Sequence, residues 1–200
     1  MDMKPFDLVL KDFANWKMDN VDVLERLRNE DSPIYDRLEP VYLVLNHIYR
    51  EAVDNGGSLD EEMENIFQVG FDYLSNQFDV VRIYYEKLFK SDCAAFSEFS
   101  TLVGYLLFIS DLRADLEEYE AEAELDFTEL NDVETMIETM IAQRDTRFEY
   151  AAERLNRAVD ELIEPLGFEY VSIVDIFVEI AGTLGIALDR GESLVIGEDI

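Results

Sequence analysis

Cysteine, histidine and basic side chains are scarce in this chain, and each shortage closes off a class of chemistry. A single cysteine, Cys93, forbids an internal disulfide and any metal site built on several thiolates. A single histidine, His47, falls short of a carboxylate-bridged di-iron bundle, which wants Glu-x-x-His on two helices; the residue three before His47 is Val44. Lys and Arg number 16 against 46 Asp and Glu, a formal charge of −30. Phosphate recognition depends on cations that displace counterions, so nucleic acid is a poor direct partner, and anionic membrane surfaces are poor on the same ground.

Long apolar runs are missing too. Thr101–Ile109 is too short to cross a bilayer, and Val171–Leu188 is interrupted by Asp175 and Glu179. The opening Met-Asp-Met-Lys-Pro-Phe-Asp has neither a basic n-region nor an apolar h-region, so a cytoplasmic location is expected. Gly56-Gly57 precedes a helix but lacks the Lys-Ser/Thr of a phosphate-binding loop.

Apolar material is plentiful. Hydrophobic residues make up 48% and aromatics 12%, enough for a substantial core without disulfides or metals. A single helical domain over residues 1–200 is expected, with 190–200 as a loose tail. Phe6, Val9, Leu10, Phe13 and Trp16 recur at helical spacing. Ser32 followed by Pro33 reads as an N-cap and first helical residue, opening a helix with Ile34, Leu38, Val41, Leu45, Ile48 and Ala52. Pro40 inside that run predicts a kink or the helix's true beginning, and Asp54-Asn-Gly-Gly57 predicts its end.

Ser58-Leu-Asp-Glu61 has the form of a capping box. Behind it Met63, Phe67, Gly70, Leu74, Phe78, Val81, Tyr85 and Leu88 form a sustained apolar seam. The next helix carries Phe99, Leu102, Val103, Leu106, Ile109, Leu112, Leu116 and Tyr119, and it is apolar nearly all round from Leu102 to Ile109, as a core centre should be. A last long helix is predicted through Val133, Ile137, Met140, Ile141, Phe148, Ala152, Leu155, Val159 and Leu162, started by Asp126 with Glu129 or Asn131 with Glu134. Gln143-Arg-Asp-Thr-Arg147 breaks its seam. The β-branched stretch Val171–Ile180 fits a buried helix or a strand, and Leu194–Ile196 could form a short strand. Long amphipathic helices with short polar turns predict an all-α antiparallel bundle of five to seven helices, with room for a short C-terminal β element.

The acids are unevenly spread. Between Asp111 and Glu134 stand eleven of them against one base, Arg113. Asp111, Asp115, Glu118 and Glu122, spaced 4, 3 and 4, fall on one helical stripe. Like charges so placed repel, and a basic partner or a divalent cation would relieve them. This stripe is the candidate docking face for a basic protein or peptide; solvation alone is the plainer account. Arg144, Arg147, Arg154 and Arg157 could pair with the acids of the preceding helix, or Arg144 could line a polar pocket for an anion.

Other chemistry finds little support. The alternating acids and central glycine of an EF-hand are absent. Glu61-Glu-Met-Glu64 supplies half of the paired motifs of an all-helical Mg²⁺-dependent pyrophosphohydrolase, and the Glu-x-x-Asp half is missing from the following helix. His47, near Glu51, reads as a surface histidine, and Cys93, after Asp92, as a quiet thiol. The leading expectation is a non-enzymatic interaction module (regulator, adaptor or chaperone-like) that docks a basic partner and needs no cofactor. The alternatives are a nucleic-acid-mimicking inhibitor or immunity protein, a Mg²⁺-dependent all-α hydrolase working through carboxylates, and a homodimer pairing its long seams.

Overall fold

The computed structural model describes residues 5–29, 32–89, 96–119, 128–143, 147–163 and 173–188. The protein is all-α: α1 (Phe6–Asn29), α2 (Pro33–Asp54), α3 (Glu61–Phe89), α4 (Phe96–Tyr119), α5 (Thr128–Gln143), α6 (Phe148–Ile163) and α7 (Ile173–Thr183), with no strand among the described residues. None of these helices is long and apolar enough to cross a membrane. The chain divides into two compact units whose boundary falls within α3, between Asp79 and Val80.

Local chemistry explains most helix ends. Ser32 Oγ accepts a hydrogen bond from the Ile34 amide at 3.3 Å, so Ser32 caps α2 as its sequence context predicts. Pro40 marks neither the start nor an interruption of α2, which runs continuously from Pro33. The capping of α3 differs from expectation. Asp60, rather than Ser58, is the cap: its Oδ1 accepts from the Met63 amide at 2.9 Å, and helix begins at Glu61. A carboxylate facing the positive end of the helix serves both hydrogen bonding and the dipole.

Glycine ends α2 and α7 alike. After α2 the Gly57 amide reaches Ala52 O and the Gly56 amide reaches Val53 O. After α7 the Ile186 amide reaches Ala181 O and the Gly185 amide reaches Gly182 O. Both are Schellman closures, which need a left-handed residue, and Gly56 and Gly185 supply it at φ 75° and 68°.

The first unit comprises α1, most of α2, the first part of α3, and α7. Its centre is aromatic. Phe13 is fully buried and stands edge-on to Phe67 and Phe71, with Tyr49 tilted against it and Trp16 stacked alongside. Trp16 in turn meets Tyr42 and Phe78. Such pairs add to plain area burial because ring edges and faces carry opposite partial charge. Lys17 closes the rim, donating to Asn46 Oδ1 at 2.8 Å while its ammonium lies over the Tyr49 ring.

Residues 173–183, which fitted helix or strand by composition, are helical. α7 buries Phe177 and Ala181, while Asp175 and Glu179 face water. The Phe177 ring lies in the space left by the absent side chain of Gly70 on α3, beside Leu45 of α2. A side chain at position 70 would exclude that ring. Leu194–Ile196 and the 190–200 tail lie outside the described residues.

In the second unit α4, α5 and α6 pack on one another. The core is mainly aliphatic: Leu102, Val103, Leu107, Ile109 and Leu112 of α4, Leu130, Val133, Ile137 and Ile141 of α5 and Leu155 of α6 are all buried. The single long helix expected over 133–162 is instead two, α5 ending at Gln143 and α6 beginning at Phe148, and the two pack on each other. The polar run Gln143–Arg147 has nothing to bury in mid-seam, and folding the chain back lets both apolar faces cover each other. Of the cap candidates for α5, Asp126 lies outside the described residues. Asn131 sits inside the helix, its side chain accepting from Arg113 rather than capping.

Candidate functional site

The acidic stripe predicted on α4 does not begin as a surface feature. Asp111 is only 7% exposed, lies between buried Ile109 and Leu112, and interacts within the fold. Helical spacing assigns a residue to a face only when the helix has a polar face, and α4 is buried on every side from Leu102 to Leu107. Asp115 and Glu118 lie on α4 with side chains outside the described set, and Glu122 lies outside the described residues.

Two further acids of the same run are engaged at home. Glu134 and Asn131 on α5 both accept hydrogen bonds from the Arg113 guanidinium of α4. Asp132 lies 3.8 Å from Arg154 of α6, so an arginine of the following helix does pair with this acidic run. Arg157 pairs with Glu153 on its own helix at 3.8 Å. Arg144 lies outside the described residues. The Arg113 and Arg154 contacts tie the second unit's helices together, each for roughly 0–1 kcal/mol.

The outer face of α3 in the first unit has a different character. Glu62, Asn65, Val69, Asp72, Asn76 and Asp79 follow one another at intervals of 3 and 4 and are all exposed, opposite buried Phe67, Leu74 and Phe78. No Lys or Arg occurs between Glu61 and Asp79. Val69, 54% exposed, places an apolar side chain among the acids. A search for the densest acidic run passes over this face; its signal is a β-branched residue on the polar side of an amphipathic helix.

A cleft of about 460 Å³ opens between α5 and the start of α6 in the second unit. Met136, Thr139, Met140 and Gln143 line it from one face of α5, and Arg147 and Tyr150 from the other side. Met140 is buried, Met136 is half-buried, and Thr139, Gln143, Arg147 and Tyr150 are exposed.

Tyrosines carry the resolved electrostatic perturbations. Tyr84 donates to Glu138 Oε1 at 3.0 Å. Burial first, then that hydrogen bond and the charges of Glu138 and Glu134, push its phenol up to about 12. Burial also raises Tyr105 and Tyr42, Glu25 adding to the latter and Arg50 opposing it. His47 is exposed on α2. Among the described residues no three His, Cys, Asp or Glu side chains converge as a metal site would require, and the acids of the Glu61–Glu64 half-motif stand at the first turn of α3 without such company. Cys93 lies outside the described residues. No family model, curated protein or solved structure matches this chain.

Proposed function

We propose that this protein is a non-enzymatic interaction module that docks a basic protein or peptide. The observation that supports this reading best is the outer face of α3, where exposed Glu62 and Asp72 flank exposed Val69. Glu62 and Asp72, with Val69 between them, are about 15 Å apart along the axis, from a rise of ~1.5 Å per residue. A partner helix with Lys or Arg about ten residues apart and an apolar residue between them matches that pattern. Asp115, Glu118 and Glu122 remain a second candidate surface. Asp111, being buried, is a structural residue in this reading and not a contact.

The test compares the parent with two charge-neutralised variants, Glu62→Gln/Asp72→Asn and Asp115→Asn/Glu118→Gln/Glu122→Gln. Each is used to capture partners from native lysate at low and high salt, and any captured protein is then titrated in purified form. The reading expects a basic partner that weakens with salt, because screening acts over about 10 Å at 0.1 M. It also expects that partner to be lost from the α3 variant. A partner lost only from the second variant would move the docking surface to 115–122. Identical backgrounds from all three proteins would defeat the reading.

A further inference from the structure

We draw no further inference here: the strongest candidate, the apolar stripe of α7 on which Ile176 is exposed and Ile173 and Ile180 are half-buried, carries nothing, because nothing in the structure shows what covers it.

Discussion

The two units of this protein reach burial by different routes. The first is organised around interlocking rings, with Phe13 at the centre and α7 keyed in through Phe177. The second relies on aliphatic layers from α4, α5 and α6, with polar cross-links at the margin: Arg113 to Glu134 and Asn131, Arg154 to Asp132, Tyr84 to Glu138. An aromatic centre concentrates stability in few residues, because each large ring touches several others. Aliphatic layers spread it over many.

The contrast is broken most directly by truncating one core residue in each unit. Phe13→Ala is expected to cost about 3–5 kcal/mol and Ile137→Ala about 2–5, nearer the lower end because its neighbours can relax into a smaller void. Urea unfolding followed by circular dichroism measures both. Fluorescence of Trp16, the single tryptophan, reports the first unit locally. Equal losses at the two positions would remove the distinction.

Two helical glycines sharpen it next. Alanine normally improves a helix interior by about 1 kcal/mol over glycine. At Gly70 the added methyl would overlap the Phe177 ring and come within 3.0 Å of Leu45 Cδ2, so Gly70→Ala is expected to destabilise by about 1–3 kcal/mol. At Gly182, on α7, nothing lies within 4 Å, and Gly182→Ala is expected to stabilise by about 0.5–1 kcal/mol. Melting temperatures that move in the same direction for both would refute the keyed packing of α7.

Alkaline pH probes the second unit. The Tyr84 proton is held more tightly in the folded state, whose value of about 12 exceeds the ordinary 10.0. Its contribution is therefore whole below about pH 10 and is lost as pH rises towards 12. Tyr84→Phe should flatten the alkaline limb of a stability–pH profile measured by chemical denaturation, with Tyr42 and Tyr105 leaving a residual slope. The smallest effect is expected at Arg113→Gln, about 0–1 kcal/mol, because the bridge is half-exposed and salt screens it. A loss well above that range in a denaturation experiment would make the polar margin, and not the aliphatic layers, the second unit's main support.

Particular residues mark how far sequence reasoning reached. Ser32 as a cap, Gly56-Gly57 as a helix end, and the Phe67–Gly70–Leu74–Phe78–Val81 seam were all readable, because each depends on neighbours within a turn or two. Asp111 was misplaced for the opposite reason. Whether α4 has a solvent side depends on what surrounds it, and no residue on α4 records that. The break between α5 and α6 was signalled by Gln143–Arg147, but a helix interrupted by polar residues can continue or fold back, and only the packing of its two apolar faces decides. Of the candidate surfaces, the cleft draws on residues from Met136 of α5 to Tyr150 of α6 and could not be seen while the segment was read as one helix.

By itself the sequence determined that this protein is helical, strongly acidic and poor in histidine and cysteine, since composition and short-range periodicity carry that information directly. The tertiary structure alone decided that Asp111 is buried, why position 70 is glycine, and that Met136, Met140 and Arg147 line one cleft. Each of those depends on contacts between residues distant along the chain, and helical periodicity extends no further than the helix that carries it.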